Sequence, residues 1–135
     1  VLQTAHEFTS GRVIVVFGCG GDRDRKKRPI MGQLGIELAD LAVVTSDNPR
    51  SEEPKAIIEE IIAGIEEVDG QQGADYLVIQ ERGAAIKKAV KLAAPEDIVL
   101  IIGKGHETYQ DFGDRVIDFD DREVARRAIQ ARSEQ

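Results

Sequence analysis

Three short segments of this chain gather residue types that bind small charged molecules. In the first, Gly18-Cys19-Gly20-Gly21-Asp22 leads into a run in which five of the six residues from 23 to 28 are basic (Arg23, Arg25, Lys26, Lys27, Arg28), within a chain of formal net charge -7. Glycines let backbone approach a ligand, and clustered cations attract phosphate or carboxylate. A solvated charged turn has the same composition. Completing the dinucleotide-binding fingerprint from Gly18 and Gly20 requires Gly or Ala at position 23, where Arg23 stands. The second segment reads Asp47-Asn48-Pro49-Arg50-Ser51-Glu52-Glu53-Pro54. Asp-Asn-Pro is turn chemistry, because Asn and Asp bond their own backbone and Pro fixes φ. A turn does not ask for Arg50, and a guanidinium on a stiff turn grips a carboxylate through two parallel hydrogen bonds. Spacing alone leaves a surface arginine equally open.

The third segment is Gly103-Lys104-Gly105-His106-Glu107. Glycines around a lysine suit phosphate, yet the P-loop pattern G-x-x-x-x-G-K-[ST] occurs nowhere in the chain. His106 fits a general base or, more commonly, a loop-shaping hydrogen bonder. Glu107, an anion beside two cationic loops, suits an ammonium group. Arg23 and Arg50 for carboxylate with Glu107 for ammonium make a set complementary to a zwitterionic amino acid.

Each segment follows an apolar run that reads as a buried parallel strand. Val13–Phe17, Leu41–Thr45, Tyr76–Ile79 and Ile98–Ile102 are short, rich in Val and Ile, and bounded by Gly, Asp or Asn. Helical spacing lies between them, at Ile57, Ile61, Ile65 and Val68 and again at Ile86, Ala89, Val90 and Ala93. Pro54 suits the first turn of the earlier helix. Val116–Phe119 reads as a further short strand, and Asp120 with Glu123 as a capping box opening a last helix through Ile129. Asp69–Asp75 reads as a surface loop. The alternation predicts an α/β fold: an open, mostly parallel Rossmann-like sheet of five to six strands with helices on both faces. Such sheets bind ligands beyond the carboxyl ends of their strands, where the three segments fall.

A chain of 135 residues with 41% hydrophobic content fits one domain. Its acidic balance disfavours nucleic acid and anionic membrane as partners, and a single cysteine, Cys19, excludes an internal disulfide. No apolar run reaches the ~18 residues of a membrane span, so a cytoplasmic location is expected. His6 and His106 sit in no recognisable ligand spacing, and no metal site is expected. Residues 1–10 carry neither a signal peptide nor an initiator Met. They are expected to end an interdomain linker or first helix, cut from a longer chain, with the domain proper at 11–135.

In order and spacing, Gly18–Met31, Asp47–Arg50 with Glu52-Glu53-Pro54, and Gly103–Glu107 with Tyr109-Gln110 resemble the C-terminal domain of the Mur ligases, most closely the diaminopimelate-adding branch. The likeness spans most of the chain. Segments like Gly-Lys-Gly-His-Glu recur across Mur ligases, whereas Asp-Asn-Pro-Arg accompanies meso-diaminopimelate and lysine-adding relatives differ at the Arg position. The resemblance implies an ATP-dependent amide ligase of peptidoglycan precursor synthesis. ATP phosphorylates the glutamate γ-carboxylate of UDP-MurNAc-L-Ala-D-Glu, and the amine of diaminopimelate displaces the phosphate. It further implies that Arg23, Asp47, Asn48, Arg50, Gly103 and Glu107 bind diaminopimelate. Arg25, Lys27, Arg28, Lys104 and His106 are left to nucleotide or interdomain contact. The family's P-loop, Mg2+ ligands and carbamylated lysine belong to a central ATPase domain, and its UDP-binding region to an N-terminal one. By this reading the chain holds no catalytic residue, binds no ATP, Mg2+ or other cofactor alone, and is inactive without the central domain it contacts. The rival readings are a lysine-adding Mur ligase, a folylpolyglutamate synthase, a stand-alone module for a small anion or amino acid, and a dinucleotide-binding oxidoreductase domain.

Overall fold

The computed structural model describes residues 5, 7–104 and 106–133; His6 and residues 1–4 of the expected linker lie outside them. Strand β1 (Val13–Phe17) is buried along its whole length, because its alternate side chains enter two different cores. It pairs in parallel with β2 (Leu41–Val44) on one side and β4 (Ile98–Ile101) on the other, and β2 pairs with β3 (Tyr76–Val78), giving the order β3-β2-β1-β4. The expected strands end one residue earlier at β2, β3 and β4. Thr45, Ile79 and Ile102 nonetheless each donate one last ladder bond, to Phe17, Val44 and Val16.

Helices cover both faces. Helix α2 (Pro54–Glu67), opened by its proline, lays Ile57, Ile58, Ile61 and Ile65 against Val13, Val15, Phe17, Ala42 and Val44. On the opposite face α3 (Arg82–Leu92) packs Ala85, Ile86, Ala89 and Val90 against Ile14, Val16, Leu41 and Val43, joined by Ala128 of α4 (Asp121–Ser133). Each fully buried Ile or Val contributes about 1.5–3 kcal/mol relative to exposure, so this alternation decides which face each strand turns to which helix pair. Asp120 opens α4 by accepting from the Arg122 N–H, and the helix runs beyond the expected Ile129.

Two features depart from the sequence expectation. Helix α1 (Lys27–Leu38) is not announced by apolar spacing, because the residues it buries are Arg28, Gly32 and Gly35. Its glycines allow backbone contact with α2: a Cβ on Gly32 would sit 2.3 Å from the Ile61 carbonyl oxygen, and one on Gly64 2.0 Å from that of Pro29. Among the described residues the parallel sheet also has four strands rather than five or six. Among the described residues β5 (Tyr109–Asp111) and β6 (Val116–Asp118) pair with each other alone, antiparallel, through Gly113 at φ +87°. Their exposed Val116 and Ile117 have no core to enter, and the hairpin bonds to the loop after β2 instead of to the sheet.

Candidate functional site

β1 and β4 are neighbours although β2 and β3 lie between them in sequence, so the loops after β1 and β4 part at the change of strand order. That is where open α/β sheets bind ligands. The loop after β1 is pressed onto the loop after β2 through its glycines. Gly21 donates its N–H to the Asn48 carbonyl at 2.7 Å, and a Cβ there would lie 1.7 Å from the Pro49 carbonyl oxygen. Asp22 takes a left-handed φ of 55° and accepts from the Ser51 hydroxyl at 2.5 Å, while its N–H donates to Glu52 Oε2 at 2.6 Å.

Arg28 completes this staple from beneath. Its side chain is 1% exposed and donates to Glu52 Oε2 at 2.6 Å, Glu52 Oε1 at 3.0 Å, Glu60 Oε2 at 3.3 Å and the Gly20 carbonyl at 3.1 Å. The hydrogen bond from Arg28, then that from the Asp22 N–H, pulls the Glu52 carboxyl down to about 2. Arg50 also bridges the two loops. It sits at φ 54°, costly for a residue with a Cβ, and its Nη1 donates to the Gly21 carbonyl at 2.9 Å, with the Asn48 carbonyl at 3.5 Å. Its own N–H is held by the Asp111 carbonyl of β5.

The loop after β4 is tied in by Lys104, whose side chain is fully buried. Its Nζ donates to Asn48 Oδ1 at 2.8 Å and to the Tyr109 carbonyl at 2.6 Å. It also lies 3.2 Å from Asp47 Oδ1 but out of line for a hydrogen bond, so that buried oxygen is charge-paired without a directional partner. Asn48 Oδ1 accepts a second bond from the Asp111 N–H at 3.0 Å, and its Nδ2 donates to Glu107 Oε2 at 3.2 Å. Glu107 also accepts from the Tyr109 hydroxyl, whose pKa is raised by that bond.

These ties bring most of the residues singled out in the sequence to one rim. Asp47, Asn48, Arg50, Lys104 and Glu107 form a connected polar cluster. Arg23, Lys27, Asp47 and Gly103 line a cleft of about 430 Å³ with Gly18, Cys19 and Gly20. Gly103, at φ +117°, carries a conformation natural to glycine beside the Asp47 carboxylate. Among the described residues, exposed Arg23 donates to the neighbouring Asp22 carbonyl alone. Arg25 turns away and pairs with Glu60 on α2, and His106 is exposed. Burial raises the Cys19 thiol to about 11, so it lines the cleft as a neutral group.

Three supporting residues had no role in the site expected from the sequence. Gln110 Nε2 donates to the Asp47 carbonyl at 2.8 Å, and Glu52 anchors Arg28. Arg82, 1% exposed at the start of α3, grips Asp121 through two bonds of 2.7 Å and donates to the carbonyls of Ser46 and Ile102. One sequence signal pointed to it: an arginine in the first turn of a helix opposes the dipole and needs a compensating partner.

Residues 1–105 match the family model for the Mur ligase, glutamate ligase domain. The chain is 52% identical over 130 residues to the UDP-N-acetylmuramoyl-L-alanyl-D-glutamate--2,6-diaminopimelate ligase of Clostridium tetani, covering 96% of this chain and 26% of that protein. Its identity to the ligase of the same name from Geobacillus thermodenitrificans is 53% over 131 residues, 97% of this chain and again 26% of the relative. A solved structure of a ligase of that name superposes with a TM-score of 0.84 at 42% identity, over 98% of this chain and 26% of that one. The chain thus spans about a quarter of the length of these relatives. On the family match and the shared fold, this chain belongs to the Mur ligase family as its glutamate ligase domain.

Proposed function

We propose that this chain is the amino-acid-binding domain of a ligase that adds meso-diaminopimelate to UDP-MurNAc-L-Ala-D-Glu in peptidoglycan precursor synthesis. The observation that carries the reading is the convergence of Arg23, Arg50, Asn48 and Glu107 on one rim beside a cleft of about 430 Å³. Arg50, with Arg23, takes the distal carboxylate. Glu107 takes the distal ammonium, oriented for it by Asn48 and Tyr109. Asp47 and Gly103 shape the floor between them, and the other amine is left to attack an acyl phosphate. The names of the relatives support the same substrate.

Lysine lacks the distal carboxylate and would leave the clamp cation unpaired, and a site built to bond a polar group discriminates strongly against an analogue lacking it. Mur ligases as a family use ATP and Mg2+. This chain has no P-loop pattern, and among the described residues no group of three or more His, Cys, Asp or Glu is set to hold a metal ion. By family likeness nucleotide and metal are assigned to a central domain, toward which Lys27 and His106 are available as exposed contacts.

Calorimetric titration of the chain with meso-diaminopimelate, with L-lysine as control, tests the reading. Heat with the first alone is expected. Equal heats for both ligands, or an Arg50→Ala variant that binds diaminopimelate as well as the parent, would sink the clamp assignment.

A further inference from the structure

We infer that Lys104 is a positioning residue that fixes which way the Asn48 amide faces, and so makes Asn48 a hydrogen-bond donor toward Glu107 and the bound amino acid. An asparagine side chain has one accepting and one donating end, nearly identical in shape, and only its partners decide which end points where. Here the partners on one side are both donors. Lys104 Nζ at 2.8 Å and the Asp111 N–H at 3.0 Å each require an acceptor, and an ammonium has no accepting capacity at all. Oδ1 must therefore face inward, which leaves Nδ2 to face Glu107 at 3.2 Å.

Lys104 is itself fixed. Its side chain is fully buried, with the Tyr109 carbonyl at 2.6 Å and the Asp47 carboxylate beside it, so it has neither solvent nor room to swing away. The lysine ties together residues of three separate segments: Asp47 and Asn48 after β2, its own loop after β4, and the start of the β5–β6 hairpin. Its burial also argues against the nucleotide or interdomain contact that the sequence left open for it.

The consequence for ligand affinity rests on the diaminopimelate reading above; the amide orientation does not. In a 15N-labelled wild-type chain without ligand, the Asn48 side-chain amide protons should show cross-relaxation to the Glu107 side chain. Cross-relaxation to Lys104 instead would mean that the amide is reversed and would overturn the inference. Lys104→Met leaves only the Asp111 N–H on Oδ1, so it should broaden the Asn48 side-chain amide and weaken its Glu107 cross-peaks; unchanged signals in a folded variant would likewise overturn the inference. In titration with meso-diaminopimelate, Lys104→Met should bind about ten- to a hundredfold more weakly than the parent, as expected when a hydrogen bond to a charged group is lost. If the parent binds and the variant matches it, the positioning role fails. If the parent gives no heat, the substrate reading fails, and the amide spectra alone decide the orientation.

Discussion

The interior of the sheet and the rim made by its strand-end loops are built from opposite materials. Inside, β1 and β2 meet α2 and α3 through Val, Ile, Ala, Leu and Phe, with no polar side chain among them. On the rim the buried groups include Arg28, Asp47, Asn48, Lys104 and Gln110, with Arg82 reaching up to it from α3. Apolar packing is non-directional and tolerates volume-conserving change. A buried charge costs several kcal/mol to desolvate and is tolerated only when its partners stand in the right geometry. The rim therefore has one workable arrangement, and that arrangement sets the spacing between Arg23, Arg50 and Glu107. The interior supplies stability; the rim spends part of it on position.

The sharpest break of this contrast is Arg82→Met. It fills similar volume but strands Asp121 and the carbonyls of Ser46 and Ile102. Removing one partner of a buried pair costs about 3–5 kcal/mol. Urea unfolding followed by circular dichroism measures the loss, and Asp121→Leu added to the variant should recover part of it.

Acid breaks a second rim contact reversibly and less completely. The Glu52 carboxyl is pulled from 4.5 in the reference state to about 2 by Arg28 and the Asp22 N–H. Its stabilising contribution is present in full above 4.5 and is lost as pH falls through 2. Arg28 keeps Glu60 and the Gly20 carbonyl when Glu52 is protonated, so the loss should be smaller than for Arg82→Met. Urea midpoints across this window should fall more steeply for the parent than for Glu52→Gln; parallel profiles would remove Glu52 from the account.

Inside the sheet, Ile61→Val deletes one methyl group from a residue with no exposed surface. The expected cost is about 0.5–1.5 kcal/mol, without effect on diaminopimelate titration. A larger loss, or altered binding, would mean that interior and rim are coupled through α2.

The same contrast explains what could be read from the sequence. β1 was legible to the residue because Val and Ile entering two cores leave an unbroken apolar run. The loops that form the rim were legible because Gly, Asn-Pro and Arg stand where strand ends must fall. Helix α1 was not, since Gly32, Gly35 and Arg28 form its buried side and carry no hydrophobic period. The pairing of β5 with β6 was not legible either, because both strands are three residues long and neither enters a core. Lys104 was seen but its use was open, as a lysine between glycines reads the same whether it faces phosphate or an asparagine carbonyl beneath it.

The smallest expected effect isolates burial from charge. Arg127 pairs with Glu123 one helical turn earlier on α4 at 3.2 Å, a distance comparable to those on the rim, but the two side chains are 75% and 43% exposed. Water solvates both ions whether or not they meet, and holding two long side chains together costs rotamer entropy, so Arg127→Ala should change stability by no more than about 0.5 kcal/mol. Added salt should erase even that. A several-fold smaller effect than Arg82→Met at a comparable distance would show that the rim is held by what its charges lose when unpaired. A cost for Arg127→Ala matching that of Arg82→Met would instead trace stability to ion pairing wherever it occurs, and the division between interior and rim would lose its physical basis.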